Sequence, residues 1–316
     1  MTSLADLDIV IPTYRGAERV AACVAGLGDL DGATLWLVDD ASGDDTVDRL
    51  RRDHPDARII ERAENGGFAV TADTGLRAGS APFVALLNDD LLPRPGFLPA
   101  MLAVLRGDDR IGMVAPVMVR PDGERLEGVG IEADPTVAGF SCHWGARLDE
   151  VGRLDHSRLL GPSGGAAAYR RAALEEVGYL DLAIGSYSED LDVALRIRAA
   201  GWAARPALDA VTVHLGSVTF GHRTDRQLGD KGHSRGYLMR KYGVLRDPRT
   251  AGLAVAGEAA ILARQLTRDR STAGLRGRVA GWRLAGRRER VSVPDGLLNG
   301  RIGFLEALRR RRSYGG

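Results

Sequence analysis

The most restrictive feature of the sequence is an apolar run that ends abruptly in acidic residues. Residues 83–87 read Phe-Val-Ala-Leu-Leu, and Asn88, Asp89 and Asp90 follow directly. A short apolar run bounded by turn residues is typical of a strand that is buried on both faces of a parallel sheet. Ligands bind at the carboxyl ends of such strands, so we expect these carboxylates to face a site.

The rest of the chain repeats this pattern of strands and helices. A second apolar run ends in Asp39 and Asp40, and a late one ends at His214. The predicted strands are 8–13, 34–38, 57–60, 83–87, 111–119 and 210–215. The predicted helices are 18–27, 72–78, 171–177, one that starts at 188–190, and then 225–242, 252–268 and 295–312. Loops and short strands are expected over 121–155. This alternation predicts an α/β fold with a mixed, mostly parallel, Rossmann-like central sheet flanked by helices and followed by a helical C-terminal extension.

Charge is distributed unevenly along the 316 residues. The net charge is +1, but residues 264–312 hold 14 Arg and 4 acidic residues, a net charge of +10, so the remainder carries −9. A basic tail on an acidic body predicts contact with an anionic partner, such as a membrane surface or a phosphorylated lipid. The alternative is a solvated Arg-rich helix face. Nucleic acid is not the partner we expect.

Cysteines and apolar segments limit the class of protein further. Two cysteines, Cys23 and Cys142, form neither a disulfide framework nor a zinc site, and Cys23 lies in a helical apolar pattern typical of a core. No N-terminal signal pattern is visible, and no stretch approaches the roughly 18 apolar residues of a membrane span. These observations favour the cytoplasm, with peripheral contact at the inner face of the membrane as an option for the tail.

Six motifs follow one another in a recognisable order. They are Ile11-Pro12-Thr13-Tyr14, Val38-Asp39-Asp40-Ala41-Ser42, Asn65-Gly66-Gly67-Phe68 with Asp73-Thr74-Gly75, Leu87-Asn88-Asp89-Asp90, Gly164-Gly165-Ala166 with Arg170 and Arg171, and Glu189-Asp190-Leu191-Asp192 with Arg196 and Gly201-Trp202. In this order they resemble the family 2 glycosyltransferases of the GT-A fold, with a spacing similar to bacterial rhamnosyltransferase-like members. The resemblance covers about residues 6–220. It implies a transferase domain over 1–220 and a basic, mostly helical extension over 221–316.

The resemblance implies a metal site after the fourth strand. It assigns Asp90 to a divalent ion, Mg²⁺ or Mn²⁺, and places Asp89 beside the ribose and diphosphate of a nucleotide sugar. Such an ion stabilises the charge that builds on the leaving diphosphate, and hard cations bind carboxylate oxygens. Asn88 replaces the first acid of the strict Asp-x-Asp motif, so the ligand set is one carboxylate short. His214 either completes this site or is structural.

The resemblance also implies donor contacts elsewhere. The donor-binding candidates are Pro12, Thr13, Tyr14, Asp40, Gly67, Asp73, Asn88 and Asp89. Asp40 is expected to accept a hydrogen bond from a pyrimidine N–H, which favours a UDP- or dTDP-sugar such as dTDP-rhamnose. A helix cap is its alternative role. Asp73 stands where the family has Asn, so it either faces the sugar or caps locally.

Asp190 is the predicted general base. A positioned carboxylate that takes the proton of the acceptor hydroxyl typically contributes ~10²–10⁴-fold to the rate. Attack opposite the leaving diphosphate gives single displacement with inversion. The acceptor-binding candidates are Glu189, Gly165 and Trp144. A charged first helical turn is the alternative for Glu189, and Asp192 is expected to pair with Arg196, four residues on.

The leading hypothesis is therefore an inverting, metal-dependent glycosyltransferase of cell-envelope polysaccharide or glycolipid assembly. A lipid-linked saccharide and a soluble secondary metabolite compete as acceptors. A non-catalytic nucleotide-sugar-binding protein is the alternative if Asp190 points away from the site. A dehydrogenase is disfavoured because Pro12-Thr13-Tyr14, and no Gly-x-Gly-x-x-Gly, follows the first strand. A nucleotidyltransferase would need a Gly-rich loop with a basic residue there. A homodimer is left open.

Overall fold

The strands and helices of the chain were obtained from a computed structural model, which describes residues 3–30, 32–216, 224–287 and 291–313. The strands are β1 (Leu7–Thr13), β2 (Thr34–Asp39), β3 (Arg58–Glu61), β4 (Phe83–Leu87), β5 (Leu91–Pro93), β6 (Ile111–Val119), β7 (Leu126–Val129), β8 (Ile131–Ala133), β9 (Gly139–Ser141), β10 (Ala166–Arg170) and β11 (Ala203–His214). The helices are α1 (Ala17–Leu27), α2 (Thr46–Asp53), α3 (Phe68–Ala78), α4 (Phe97–Gly107), α5 (Arg171–Val177), α6 (Glu189–Ala199), α7 (Asp225–Lys241), α8 (Pro248–Thr267), α9 (Ala273–Ala285) and α10 (Phe304–Ser313).

The central sheet has the strand order β3-β2-β1-β4-β10-β6-β11-β5, and β7 pairs with β6 at one side. The first four strands run parallel, and β11 is parallel to β6. β10 is antiparallel to both β4 and β6, and β8 and β9 form a separate hairpin. The predicted mixed, mostly parallel sheet flanked by helices is confirmed.

Burial on both faces explains why the central strands are apolar throughout. All seven residues of β1 and all five of β4 are buried. Ile9 and Ile11 pack with the apolar residues of α1 and α4, whereas Val10 points into the opposite layer with Leu76 of α3. Cys23 lies in the first of these layers with 0% exposure, which confirms its predicted place in the core. Because β1 pairs in parallel with both β2 and β4, the carboxyl ends of these three strands lie at one edge of the sheet.

Several elements differ from the predicted ones. α4, β10 and α9 were not predicted, β11 begins at Ala203 and not at 210, and the last helix begins at Phe304 and not at 295. β10 begins with three Ala residues, which have little β propensity, and α9 contains three Gly residues, which disfavour an isolated helix. Both elements depend on tertiary packing. β11 carries a bulge between Ala207 and Val211 that interrupts its apolar pattern. Gly296, Gly300 and Gly303 break the expected long helix.

The C-terminal helices α7 and α9 pack backbone against backbone. A Cβ atom added to Gly232 or Gly236 of α7 would overlap backbone atoms of α9. A Cβ atom added to Gly277 or Gly281 of α9 would overlap the backbone of α7 in return. We call this contact the glycine seam. Only glycine allows so close an approach of two helices, so these residues fix the position of α9.

Buried charges join the tail to the helix that carries the predicted base. The Lys241 Nζ atom lies 2.7 Å from an oxygen of Asp181 and 2.6 Å from an oxygen of Asp192. Asp192 is 0% exposed and also accepts a 2.7 Å bond from Arg196, which confirms the predicted pair. Tyr242 donates a further hydrogen bond to Asp192. The tail thus packs into the same core as α6. The division predicted at residues 220 and 221 lies outside the described residues and stays a prediction.

Part of the positive charge of the tail is paired within the protein. Glu258 of α8 is buried and binds Arg235 of α7 and Arg278 of α9, each at 2.7 Å. Arg310 of α10 binds Glu132 of β8. In the part of the chain that the structure describes, no helix has both the length and the apolar character needed to cross a membrane.

Candidate active site

The ends of β1, β2 and β4 bring the first predicted donor-binding residues together. In the parallel register Pro12 lies beside Val38, and Thr13 beside Asp39. The Asp40 backbone N–H donates to the Thr13 carbonyl at 2.9 Å, and the Thr13 hydroxyl donates to Asp89 at 2.6 Å. The half-buried Tyr14 follows, with the Arg15 guanidinium 5.2 Å from its ring centroid.

Asp40 is held by the turn that precedes α3. Its carboxylate accepts the backbone N–H groups of Gly66 and Gly67 at 2.9 and 2.8 Å, and the Arg62 guanidinium also donates to it. Gly67 has a φ of +79°, which favours glycine at this point of the turn. A carboxylate has about four acceptor positions, so one can still receive a donor from a nucleobase. The assignment of Asp40 to the nucleobase stays a prediction, and Arg62 is an addition that the sequence did not indicate.

Asp89 forms a bidentate ion pair with Arg19 of α1. The Nε and Nη2 atoms of Arg19 lie 3.1 and 3.0 Å from its two oxygens. Burial raises the pKa of Asp89, and the hydrogen bonds from Arg19 and Thr13 oppose that effect. Paired charged groups of this geometry are among the stronger polar contacts in proteins. Arg19 was missed from the sequence, although it lies in the first turn of α1, shortly after the Pro12–Tyr14 motif.

Asp90 lies next to His214, as required for a shared metal site. The His214 Nε2 atom is 3.2 Å from Asp90, and its Nδ1 atom is 2.8 Å from Glu127 of β7. Burial lowers the pKa of His214, but the two carboxylates more than offset this and raise it to about 10. Nothing in the sequence pointed to Glu127. A carboxylate that holds the far nitrogen of a histidine is a common support for a metal ligand.

The side chains at this point fit a hard divalent cation. A buried Asn88 oxygen has no hydrogen-bond partner among the described residues, and one buried Asp90 oxygen faces the His214 Nε2 atom at 3.2 Å. Mg²⁺ and Mn²⁺ favour the oxygen donors of this group, and Mg²⁺ usually completes its shell with water and substrate phosphates. His214 would have to release its proton to bind the ion. Within the described ranges, no group of three or more His, Cys, Asp or Glu side chains could hold an ion alone. The protein would thus supply part of the shell, and a diphosphate the rest.

Asp190, the predicted general base, lies at the same edge of the sheet. Asp190, in the first turn of α6, accepts the Gly164 N–H at 2.9 Å with one oxygen and the Leu191 N–H at 2.7 Å with the other. The adjacent Gly165 carbonyl accepts the Asn88 N–H at 2.9 Å. A short hydrogen-bonded path therefore links Asn88, at the end of β4, to Asp190, and both oxygens of Asp190 are held in place.

Glu189 beside it is buried, with 7% exposure. One of its carboxylate oxygens has no hydrogen-bond partner among the described residues. Burial, and then the charge of Asp190, raise the pKa of Glu189, and burial also raises the pKa of Asp190. Two adjacent buried carboxyl groups do not both ionise easily, so the pair favours a state that holds one proton.

Two candidates are not brought to this edge. Asp73 is buried in α3, where one oxygen accepts a 2.6 Å bond from Arg77 and the other the Leu180 N–H at 3.0 Å. These contacts are structural, and the donor-binding role of Asp73 stays a prediction. Trp144 lines a different cavity, and the Arg120 guanidinium lies 5.5 Å from its ring centroid. Its role toward the acceptor also stays a prediction.

The sheet edge formed by β1, β2 and β4, the Asp90–His214 pair and the Asp190 carboxylate fit the GT-A architecture. A sequence model described as glycosyl transferase family 2 matches residues 8–178. The chain belongs to this family.

Curated relatives carry several different activities. A pre-mycofactocin glycosyltransferase of Mycobacterium tuberculosis is 30% identical over 214 residues, which is 66% of this chain and 42% of the relative. An N-acetylglucosaminyl-diphospho-decaprenol L-rhamnosyltransferase of the same organism is 25% identical over 233 residues, covering 66% of this chain and 75% of the relative. A chondroitin synthase of Escherichia coli is 24% identical over 253 residues, covering 71% and 36%. The chain thus spans less than half of two of these three relatives.

Solved structures with the same fold hold nucleotides and manganese. A Pyrobaculum calidifontis mannosyltransferase, solved with GDP-Man and Mn²⁺, aligns with a TM-score of 0.52 at 19% identity over 89% of this chain and 86% of the other. GalNAc-T7 with UDP, GalNAc and Mn²⁺ aligns with a TM-score of 0.60 at 11% identity over 98% and 57%. These likenesses confirm the predicted GT-A fold.

Proposed function

We propose that this enzyme moves a sugar from a nucleotide-diphosphate sugar to an acceptor hydroxyl by a single displacement that inverts the anomeric carbon. The observation that supports this most is the path from Asn88 through the Gly164–Gly165 turn to Asp190. It holds the base at a fixed place relative to the strand end where the diphosphate would bind. Such positioning lowers the barrier because the reactants need no further ordering.

Asp190 and Glu189 take separate roles in this proposal. Asp190 accepts the proton of the acceptor hydroxyl as the oxygen attacks, and its two backbone N–H contacts keep it aimed. Glu189 is the more deeply buried of the two, so it keeps its proton to a higher pH and can donate a hydrogen bond to another acceptor oxygen. Pairs of carboxyl groups whose environments separate their pKa values commonly divide work in this way.

The donor would lie along the opposite side of the site. Asp40 would receive the pyrimidine N–H and Asp89 the ribose, with Arg19 neutralising charge beside it. Asp90, His214 and the Asn88 oxygen would hold Mg²⁺ or Mn²⁺. When bound, the ion supplies positive charge that stabilises the leaving diphosphate. A UDP- or dTDP-sugar is proposed, and dTDP-rhamnose agrees with the rhamnosyltransferase among the relatives.

A donor screen tests this proposal directly. Thermal shift is measured with Mn²⁺ and UDP-glucose, UDP-galactose, UDP-N-acetylglucosamine, dTDP-rhamnose or GDP-mannose. We expect a pyrimidine nucleotide sugar to raise the melting temperature and GDP-mannose not to do so. Transfer of the bound sugar with inverted configuration, read by NMR of the product, would complete the test. Stabilisation by GDP-mannose alone, or retained configuration, would contradict the proposal.

An exposed face of α9 supports a lipid-linked acceptor at the inner face of a membrane. Leu275 and Val279 are 44% and 41% exposed, one helical turn apart, and the exposed Arg276 and Arg283 lie on the same face. The opposite face forms the glycine seam. Apolar side chains with flanking arginines are suited to the surface of an anionic bilayer. We propose that this face places the site near a polyprenyl-linked saccharide of envelope assembly.

Vesicle sedimentation tests the membrane contact. The double variant Leu275→Glu and Val279→Glu should lose binding to vesicles of phosphatidylglycerol and phosphatidylcholine, because acidic groups would replace the apolar contacts. Leu245→Glu, an equal change at a residue of 39% exposure outside α9, is the matched control. If the parent protein fails to bind these vesicles, a soluble acceptor such as a secondary metabolite becomes the better proposal.

A further inference from the structure

A polar cavity lies apart from the catalytic edge, between the β8–β9 hairpin with its following loop and α10. Its volume is about 300 Å³, which is within the range of small-molecule pockets. The lining includes Trp144, His143, His156, Arg158 and Glu132. None of the residues assigned above to the donor, the metal or the base contributes to it. A ligand in this cavity would therefore bind separately from the donor and the metal.

One of the two histidines in the lining has a hydrogen-bonding atom that the protein does not use. The rings of His143 and His156 meet edge to face, with centroids 4.8 Å apart. The Nε2 atom of His156 lies 2.9 Å from the Val151 carbonyl, so this nitrogen carries the proton and Nδ1 is an acceptor. That Nδ1 atom is buried and has no partner in the described part of the chain. A hydroxyl group of a ligand would satisfy it.

The remaining walls favour a neutral ligand with many hydroxyl groups. Three arginines and three acids line the cavity, so their formal charges cancel. Glu132 is already bound to Arg310 and to Asn299, which fastens α10 over the cavity. Arg158 has no carboxylate at ion-pair distance among the described residues and offers several N–H donors. The half-buried Trp144 adds an aromatic surface, against which the C–H face of a sugar ring can pack.

The cavity is also connected to the acceptor side of the active site. Leu159, in its lining, is followed directly by Leu160, which donates to the Ile131 carbonyl at 2.8 Å. Ile131 in turn donates to the Gly161 carbonyl at 2.8 Å. The same loop continues to Gly164, which binds Asp190. A ligand in the cavity would thus lie along the chain segment that leads to the base.

We propose that this cavity binds a neutral saccharide unit of the acceptor, at a distance from the hydroxyl group that receives the new sugar. The inference rests on the proposed function for the identity of its ligand. Contact with a remote unit would select acceptors by their sugar sequence, and the binding energy would help to hold the reactive end in place.

Saturation-transfer NMR tests the proposal without requiring turnover. The probes are the methyl glycosides of glucose, galactose, mannose, rhamnose and N-acetylglucosamine. We expect at least one to bind the parent protein, Trp144→Ala and His156→Ala to weaken it at least tenfold, and Trp144→Phe to retain most binding. Asp190→Asn should leave this affinity unchanged. No binding by any probe, or binding that survives Trp144→Ala, would overturn the inference.

Kinetics separates this inference from the proposed function. With a working donor and acceptor, Trp144→Ala should raise the acceptor KM at least tenfold while the donor KM and kcat stay near those of the parent enzyme. If glycosides bind in the cavity but no nucleotide sugar is turned over, the proposed function fails and the cavity stands. If transfer proceeds normally in Trp144→Ala, the cavity has no part in acceptor binding.

Discussion

Replacing Asp190 with Asn gives the sharpest test of the active site. The variant keeps the shape of the side chain but removes its ability to take a proton. Loss of a general base lowers the rate by about 10²–10⁴-fold, which corresponds to about 2.7–5.4 kcal/mol of activation free energy. Nucleotide-sugar binding should change little, because the donor contacts lie at the ends of β1, β2 and β4.

The Asp190→Asn substitution should also lower the free energy of unfolding. Both Asp190 oxygens accept backbone N–H groups, from Gly164 and Leu191, and an amide offers only one oxygen. One N–H group therefore loses its acceptor, which costs about 1–3 kcal/mol. Release of a buried carboxylate charge offsets part of this. We expect a melting temperature that is lower by a few degrees, at roughly 2–4 °C per kcal/mol for chains of about 150–250 residues.

The assay follows nucleotide release and product formation with the donor identified by screening, and calorimetry measures donor binding. Asp134→Asn is the matched control, since Asp134 is buried and accepts the backbone N–H groups of Thr136 and Ala138 in a loop away from the site. All of these bonds go to one oxygen of Asp134, which an amide keeps, so this variant should lose neither rate nor the backbone contacts. Turnover by Asp190→Asn within about tenfold of the parent enzyme would refute its assignment as base, as would an equal loss of rate in the control.

Three other outcomes are expected. The rate should rise with pH through the raised pKa of Asp190, since the base must be ionised, and a pH profile of kcat/KM should place this limb above that of an ordinary carboxyl group. EDTA should abolish transfer and Mn²⁺ or Mg²⁺ restore it, with His214→Ala needing more metal for half-maximal rate; full activity in EDTA would contradict the site. Gly232→Ala should destabilise the fold by about 1–3 kcal/mol through overpacking, whereas Gly252→Ala, which meets open space in α8, should be neutral or stabilising in thermal melts.

The features that could be predicted are those in which the local sequence pattern and the tertiary structure agree. The run that ends in Asn88, Asp89 and Asp90 is apolar because both faces of β4 are covered, and its acidic end lies where the chain direction requires. The motifs around Asp40 and Asp190 were found because several short patterns occur in order. The β4 run and each of these motifs consist of residues that are close in the sequence.

The remaining features depend on contacts between distant parts of the chain. Arg19, Arg62 and Glu127 contact site residues that are 70, 22 and 87 positions away, and an isolated Arg or Glu carries no pattern. The internal pairing of Arg235 and Arg278 with Glu258 was likewise invisible, so the tail looked more available to anions than the structure shows. For Asp73 the sequence left two roles open, a sugar contact and a local cap, and the structure adds bonds to Arg77 and to the Leu180 N–H that no local pattern indicated.

The burial of Lys241 between Asp181 and Asp192 limits which C-terminal helices could replace those of this chain. Removal of one partner from a buried ion pair typically costs about 3–5 kcal/mol, because the remaining charge has no compensation. A chimera that joins this catalytic segment to the tail of a relative would therefore leave Asp181 without its lysine and Asp192 with Arg196 as its remaining cation, unless the new tail brings a cation to the same point. A change of acceptor is then easier to engineer by substitutions in loops than by exchange of the C-terminal helices. A protein trimmed to residues 8–178, the segment matched by the family model, would be a poor starting point.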